Sequence, residues 1–258
     1  MSHECTGCGA GCGSQNAQEP QKMPLNPLSK VKTVVAVASG KGGTGKSLVT
    51  ALLAAELTRR GKTVAILDAD ILNPSIPQLL SMQGWAISGD QGLYPAISQS
   101  GIKVMSLQLL METERDPVLW PGPITAKAAE QFWSDVIWDE IDLMLIDLPA
   151  GSGDVPQTVL EKLPLSGVIV VTSPQDMART ATMRAVQMAH ALETPLLGLV
   201  ENYSTLPIAE QNPPPHDIPV LDEVPFDEAL TEAALDGQLE AFAHRYLVNT
   251  AAVIEKLG

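Results

Sequence analysis

The fold of this chain is decided by the stretch Ser39-Gly-Lys-Gly-Gly-Thr-Gly-Lys-Ser47. From Gly40 to Ser47 it fits the pattern G-x-x-x-x-G-K-[S/T] of a phosphate-binding loop. An apolar, β-branched run precedes it at Thr33–Ala38, and a helical pattern follows it over about 45–60. Such a loop binds phosphate when it lies between a strand and a helix. The sequence therefore predicts a nucleotide-binding site at the end of the first strand.

The residue types in the loop each have a physical task. Glycines let backbone N–H groups point at a phosphate without a Cβ in the way, and the following helix directs its positive end to the same place. Lys46 is predicted to reach the β- and γ-phosphates, and the Ser47 hydroxyl to coordinate Mg²⁺. The predicted nucleotide contacts in the loop are Gly40, Lys41, Gly42, Gly43, Thr44, Gly45, Lys46 and Ser47.

The composition favours a chain with a large core and disfavours two kinds of partner. Of the 258 residues, 45% are hydrophobic, which is enough to bury a large core. The net charge of −14 repels nucleic acid and anionic lipid on average. We find no apolar run long enough to span a membrane and no signal-peptide pattern at the N-terminus. We therefore expect a cytoplasmic protein without nucleic-acid or membrane partners.

All three cysteines, Cys5, Cys8 and Cys12, lie near the N-terminus. A chain of this length does not need a disulfide scaffold, so they are interpreted as a ligand cluster. Residues 1–30 are rich in Gly, Ser, Gln, Asn and Pro and are predicted to form a flexible tail. The globular domain is predicted over 31–258.

Apolar strands alternate with helical patterns throughout this domain. The alternation is typical of a parallel sheet that helices cover on both faces. It predicts an α/β fold of three layers with a mainly parallel sheet of about seven strands. These strands are predicted over 32–38, 63–68, 102–107, 141–147, 167–172, 196–201 and 218–221. Two helices, over 227–235 and 238–257, are predicted to follow.

Three carboxylates follow predicted strands, where ligands bind in such folds. Asp147 ends an apolar strand, the position at which a phosphate-binding-loop protein holds Mg²⁺. Asp68 is a candidate to support Mg²⁺, and Asp70 to orient or activate the attacking water. Capping of a helix is the alternative role for each of them. The predicted magnesium ligands are thus Ser47, Asp68 and Asp147.

The loop resembles that of the deviant Walker A ATPases, the P-loop class of MinD, ParA and the nitrogenase iron protein. Their pattern K-G-G-x-G-K-[S/T] is matched from Lys41 to Ser47. The resemblance implies that Lys41 reaches the partner's nucleotide in a homodimer that closes face to face. A cation supplied in trans offsets charge on the γ-phosphoryl group. Catalysis is therefore expected to need Lys41, Lys46 and Asp70.

Within that class the chain is most similar to the Mrp-type iron–sulfur cluster carrier ATPases. The similarity is carried by the stretches 68–77, 101–106, 119–123, 138–154, 172–176 and 200–204. It implies a P-loop ATPase that binds ATP and Mg²⁺, hydrolyses ATP slowly as a homodimer and delivers iron–sulfur clusters to apo-proteins. It also implies that Asn202, Pro225 and Asp227 bound the adenine pocket, where an Asn amide can pair with the edge of the base.

The sequence departs from the Mrp pattern after Glu201-Asn-Tyr-Ser204. Mrp-type carriers usually have Cys-x-x-Cys shortly afterwards, whereas residues 205–216 contain no cysteine. A cluster that bridges the dimer there is therefore not expected. The tail thiolates are one short of the usual four per cluster, and a second tail, an exogenous ligand or His3 would complete the set. Zinc binding and incidental thiols are the alternatives.

Two other kinds of protein carry such loops. A MinD- or ParA-like positioning ATPase needs a basic amphipathic C-terminal helix or a basic DNA-binding face. Arg245 and Lys256 are the basic residues of the predicted last helix, and the net charge opposes DNA binding. A small GTPase or kinase would leave Lys41 without a role, and the sequence lacks the guanine signature Asn-Lys-x-Asp. The sequence favours the iron–sulfur or metallocofactor carrier.

Overall fold

The computed structural model describes residues 22–111, 118–174, 176–204, 218–243 and 245–258. Its strands are β1 Lys30–Ala38, β2 Val64–Asp68, β3 Ile87–Gly89, β4 Gly92–Tyr94, β5 Ala96–Ile97, β6 Lys103–Met105, β7 Glu140–Asp147, β8 Gly167–Thr172, β9 Leu196–Ser204 and β10 Val220–Pro225. Its helices are α1 Lys46–Arg59, α2 Ile76–Leu79, α3 Gly122–Ser134, α4 Asp154–Lys162, α5 Asp176–Ala191, α6 Glu228–Leu235 and α7 Val248–Glu255. A 3-10 helix covers Leu107–Leu110.

An eight-stranded sheet forms the centre of the fold, in the order β10-β9-β8-β1-β7-β2-β6-β5. The pairing of β5 with β6 is antiparallel and the others are parallel. The predicted α/β fold with a mainly parallel sheet is therefore confirmed, and β5 is an additional edge strand. Because β1 lies between β8 and β7, the loop that follows it emerges from the middle of the sheet.

Both faces of the sheet are covered, because its strands are apolar on both sides. Along β1, alternate residues point to opposite faces: Val34 and Ala36 face one core, and Val35 and Val37 face the other. Helices α3, α4 and α5 complete the first core, and α1, α6 and α7 complete the second. Among the described residues, no helix is long and apolar enough to cross a membrane.

Two regions differ from the predicted elements. Strands β3 and β4 form a separate antiparallel hairpin, in a stretch for which the sequence predicts no strand. The last helix is shorter than predicted over 238–257 and is limited to α7. Gly237 has a left-handed backbone (φ 67°), which is typical of the residue after a helix. Beyond it, the carbonyl of Phe242 accepts a hydrogen bond from Arg59 (3.1 Å), a group that a continuing helix would use internally.

Residues 22–29, which we call the strap, pack on the domain, although flexibility is predicted up to residue 30. The N–H of Met23 donates to the carbonyl of Lys162 (2.7 Å), at the end of α4. The indole N–H of Trp133 donates to the carbonyl of Met23 (3.1 Å). Met23 and Leu25 also pack against the first core. These contacts offset the entropy lost on ordering the strap.

Removal of the strap should lower the thermal stability of the domain. A chain that begins at residue 30 loses the apolar contacts of Met23 and Leu25, which contribute about 2 kcal/mol. Its unfolding midpoint should lie roughly 4 to 8 °C below that of a chain that begins at residue 22. Differential scanning calorimetry measures both midpoints. Equal midpoints would show that the strap contacts add nothing.

Candidate functional site

The carboxyl ends of β1, β2 and β7 meet at one edge of the sheet. Asp68 ends β2 and lies directly beside Asp147, which ends β7. The glycine-rich loop follows β1 and leads into α1. The N–H of Gly151, from the loop after β7, donates to the carbonyl of Ser39 at the start of the glycine-rich loop (2.8 Å). The structure thus brings the loop and both predicted magnesium carboxylates together.

Asp147 is fully buried and connects the loop to the first helix. Its Oδ2 lies 2.7 Å from the ammonium of Lys46 and accepts a hydrogen bond from Ser47 Oγ (2.6 Å). Its Oδ1 accepts a hydrogen bond from Thr50 Oγ1 (2.8 Å). Thr50 is a site residue that the sequence analysis missed, although it lies one helical turn after Lys46 and on the same face of α1.

Asp68 is buried beside this group. Its Oδ2 accepts a hydrogen bond from Ser106 Oγ (3.0 Å), a second residue that the sequence analysis missed. Burial raises the pKa of Asp68, and the nearby carboxylate of Asp147 raises it further, whereas Lys46 and the Ser106 hydrogen bond oppose this. Two carboxyl groups thus lie side by side in a buried setting that disfavours a second negative charge at the end of β2.

Asp70 is less buried and lies at the turn that follows β2. Its N–H donates to Asp68 Oδ1 (3.2 Å), and its own Oδ1 accepts from the N–H of Asn73 (3.3 Å). Burial raises the pKa of Asp70, and the charge of Lys46 partly lowers it. One carboxylate oxygen thus caps a turn, while the side chain remains within the electrostatic range of Lys46. The structure places Asp70 at the site edge, and its catalytic role stays a prediction.

The residues at this edge fit a divalent cation. Asp68 and Asp147 are 1% and 0% exposed, and of these two carboxylates Lys46 forms an ion pair with Asp147. A divalent cation beside Asp68 would offset the charge of that second carboxylate. Carboxylate and hydroxyl oxygens, as in Asp68, Asp147 and Ser47, are the ligands that Mg²⁺ prefers.

Two loop glycines lie where a side chain would not fit. A Cβ on Gly40 would lie 1.9 Å from the backbone carbonyl oxygen of Ala181 in α5. A Cβ on Gly45 would lie 2.1 Å from Asn202 Nδ2, and Gly45 has a left-handed φ of 77°. The loop is therefore held between α5 and the end of β9, and its shape depends on both.

The two loop lysines have different surroundings. Lys46 is 6% exposed and pairs with Asp147. Lys41 is half-buried, and none of the described residues forms an ion pair with it. Its backbone carbonyl accepts a hydrogen bond from Ser39 Oγ (3.2 Å). Lys41 is thus held at its backbone, and its ammonium is available to another molecule.

A cavity of about 300 Å³ lies just beyond the end of the loop, where Leu48, the residue after Ser47, lines it. The three residues that the sequence assigns to the adenine pocket, Asn202, Pro225 and Asp227, all line it. Leu48 and Leu79 contribute apolar surface to its wall. A larger cavity of about 400 Å³ lies beside α2, and Asn202, Pro225 and Asp227 are absent from its lining. The smaller cavity is therefore the candidate base site, with the phosphate-binding loop at its side.

The amide of Asn202 is fixed in one orientation. Its Nδ2 donates to the carbonyl of Thr44 (2.9 Å), and the side chain is fully buried. Its Oδ1 has no hydrogen-bond partner within the described ranges. Since a buried acceptor without a partner is costly, a ligand that brings an N–H group would stabilise this position. The amino group of adenine is such a donor.

Asp227 lines the cavity but uses its carboxylate within the protein. Its Oδ1 accepts hydrogen bonds from the N–H groups of Ala229 (2.8 Å) and Leu230 (3.3 Å), which caps α6. Its Oδ2 accepts the hydroxyl hydrogen bond of Tyr246, and this bond holds the pKa of Asp227 below its usual value. Asp227 therefore shapes the cavity wall, and its contact with a nucleotide stays a prediction.

The predicted cluster ligands Cys5, Cys8 and Cys12 lie outside the described residues, as do residues 205–217. In the described ranges, no group of three or more His, Cys, Asp and Glu side chains is arranged to hold a metal ion. The cluster site at these cysteines therefore stays a prediction from the sequence.

Proteins of known family resemble this chain over most of its length. Residues 30–253 match the family of the NUBPL iron-transfer P-loop NTPases. An iron–sulfur cluster carrier protein of Methanocaldococcus jannaschii is 40% identical over 212 residues, which cover 78% of this chain and 73% of that protein. An iron–sulfur cluster carrier protein of Clostridium perfringens is 35% identical over 253 residues, which cover 90% and 88% of the two chains.

Solved structures share the fold. A nucleotide-binding protein of Archaeoglobus fulgidus, solved in complex with ADP, is 36% identical with a TM-score of 0.69, and the match covers 83% of this chain and 90% of that one. The cell division ATPase MinD of Pyrococcus furiosus is 24% identical with a TM-score of 0.63, over 88% and 100% of the two chains. At this lower identity, the likeness to MinD concerns the fold alone.

Substitution of Gly40 by alanine should destabilise the protein even without a nucleotide. The new methyl group would meet the Ala181 carbonyl, so α5 or the loop would have to move, at a cost of about 1 to 3 kcal/mol. Gly42→Ala is the matched control, because a Cβ there has nothing within 4 Å. Chemical denaturation measures both variants. An equal loss of stability in both variants would show that contact with the Ala181 carbonyl does not restrict position 40.

Proposed function

This chain belongs to the family of NUBPL-type iron-transfer P-loop NTPases, and we propose that it is an iron–sulfur cluster carrier whose cycle is driven by ATP. The proposal includes hydrolysis of ATP to ADP and phosphate in a homodimer, and delivery of the cluster to apo-proteins in a reducing, cytoplasmic location. The observation that supports it most is the contrast between the two loop lysines. Lys46 forms an ion pair with Asp147, whereas Lys41 forms no ion pair with any of the described residues.

Lys46 and the loop N–H groups would bind the phosphates of ATP. Lys46 forms an ion pair with Asp147. To bind a phosphate as well, its ammonium would have to donate hydrogen bonds to both the Asp147 carboxylate and the phosphate. An ammonium has three donors, which makes that division feasible. Ser47, Asp68 and Asp147 would hold Mg²⁺, which neutralises charge on the β- and γ-phosphates when it is bound.

Lys41 and Asp70 would act on the reacting atoms. Asp70 would orient the water that attacks the γ-phosphorus, and its raised pKa suits a group that accepts a proton. Lys41 would stabilise the charge that develops on the γ-phosphoryl group of the nucleotide held by a second copy of the chain. Hydrolysis would then depend on dimerisation, and ATP would work as a switch.

The cargo would be held by the N-terminal cysteines. Cys5, Cys8 and Cys12 have the spacing of a ligand cluster, and thiolates are the usual ligands of iron–sulfur clusters. Residues 205–216 carry no cysteine, so the tail is the place in the sequence where thiolates are available. Two tails in a dimer would provide more than the four thiolates that a cluster usually requires.

Spatial positioning on a membrane or on DNA, as in MinD- or ParA-like proteins, is the alternative function. The structure disfavours it, because α7 is a short helix without lysine or arginine. The net charge of −14 also opposes association with DNA or anionic lipid. The carrier function is therefore the one that we retain.

The two loop lysines should give different defects. Lys46→Ala should weaken ATP binding by roughly tenfold to a hundredfold, because a charge-assisted phosphate contact is lost. Lys41→Ala should bind ATP nearly as well as the parent and lower the hydrolysis rate by about a thousandfold, as for a cation supplied in trans. Isothermal titration calorimetry measures binding, and phosphate release measures turnover.

Lys256→Ala, which removes an exposed lysine at the end of α7, is the control for both measurements. Analytical ultracentrifugation with ATP reports whether the Lys41 variant still dimerises. Normal hydrolysis by Lys41→Ala would exclude the proposed role of Lys41 across the dimer.

Replacement of all three cysteines by serine should abolish cluster binding. The variant has no thiolate left, since the chain contains three cysteines. After anaerobic reconstitution, the parent should contain iron and acid-labile sulfide, and the variant should contain neither above background. Zinc is measured in the same samples to distinguish a zinc site. His3→Ala tests whether His3 completes the ligand set. Equal iron and sulfide in parent and triple variant would place the cargo elsewhere.

A further inference from the structure

Tyr203 is the extra residue of a β-bulge at the end of β9. In the pairing of β9 with β10, Asn202 lies opposite Val224 and Ser204 lies opposite Pro225, so Tyr203 has no counterpart. Its backbone has a φ of 61°, in the left-handed region that bulky residues rarely adopt. Bulges near functional sites redirect side chains, and strained residues cluster at ligand sites.

The bulge turns two successive side chains towards the same glycine. Successive residues of a regular strand point to opposite faces. Here an ideal Cβ on Gly45 would lie 2.1 Å from Asn202 Nδ2 and 3.3 Å from the hydroxyl oxygen of Tyr203. The side chains of both Asn202 and Tyr203 therefore reach the end of the phosphate-binding loop, which a regular strand would not permit.

The side chain of Tyr203 also lines the candidate base cavity. It forms part of the wall with Leu48, Leu79 and Pro225. Tyr203 is 38% exposed, so a large aromatic surface remains open for contact. A planar heteroaromatic ring stacks well on such a surface. Tyr203 lies between Gly45 and the cavity, so a nucleoside joined to a loop-bound phosphate would lie beside its ring.

We propose that Tyr203 is a nucleoside-binding residue whose ring stacks on the adenine base of ATP. This inference rests on the proposed function, since it requires that the cavity holds ATP. The left-handed backbone of Tyr203 is the conformational cost of placing the ring beside the base, while Asn202 presents its amide to the base edge. The bulge thus supplies a stacking surface and a polar contact from two adjacent residues.

Substitutions at Tyr203 separate its ring from its backbone conformation. Tyr203→Phe keeps the ring and should bind ATP within about twofold of the parent. Tyr203→Asn removes the ring but tolerates a left-handed backbone, and it should bind ATP about tenfold more weakly, as expected for loss of a base–aromatic stack. Neither variant should change the affinity for inorganic tripolyphosphate, which has no base. Calorimetric titration measures all of these affinities.

The outcomes distinguish this inference from the proposed function. If the parent does not bind ATP, whether or not it binds tripolyphosphate, the proposed function is wrong. If the parent binds ATP and Tyr203→Asn binds it equally well, the stacking role of Tyr203 is wrong. A loss of affinity for tripolyphosphate that matches the loss for ATP would also overturn it, because the defect would then lie in the loop.

A fluorescent variant gives a direct readout that does not depend on the stability of Tyr203→Asn. The emission of Tyr203→Trp should be quenched by ATP, through contact of the introduced indole with the base, and should be unchanged by tripolyphosphate. The parent, with its tryptophans at positions 85, 120, 133 and 138, gives the background signal. Equal responses of the introduced indole to ATP and to tripolyphosphate would contradict stacking.

Discussion

The nucleotide site depends on the buried carboxylate of Asp147. It joins β7, which it ends, to α1, because it pairs with Lys46 at the start of that helix, where the loop ends, and accepts a hydrogen bond from Thr50 one turn later. A fully buried charge is tolerated only when partners compensate it, and removal of one partner from such a group typically costs about 3 to 5 kcal/mol. The contacts of Asp147 therefore fix the loop on the sheet before any ligand binds.

The same carboxylate sets the electrostatics around it. Together with burial, it raises the pKa of Asp68, and it attracts the lysine that the phosphates of ATP would also attract. A phosphate and Asp147 would thus both attract the ammonium of Lys46. A divalent cation beside the carboxylates would weaken their hold on Lys46 and so favour its contact with the phosphate. Because Lys41 stands outside this network in the described part of the chain, the loop presents a second cation to other molecules.

Much of this arrangement could be predicted from the sequence because its determinants are local. The apolar strands, the loop glycines and the acidic residues at strand ends are each visible within a short window, and they give the fold, the loop and the two buried carboxylates. Thr50 could also have been found, since it lies at helical spacing from Lys46. The contact of Ser106 with Asp68 could be predicted only from the knowledge that β6, which Ser106 follows, lies next to β2.

Features that depend on distant pairing could not be predicted. The bulge at Tyr203 arises from the register of β9 against β10, and the order of the strap results from contacts with α3 and α4.

The strap also ties α4 to α3. It is anchored at the carboxyl end of α4 and accepts the indole N–H of Trp133 from α3, while the other end of α4 lies about 13 Å away at the nucleotide edge. A shift of α4 relative to α3 would break these hydrogen bonds. The strap therefore holds in place a helix that begins at the nucleotide edge.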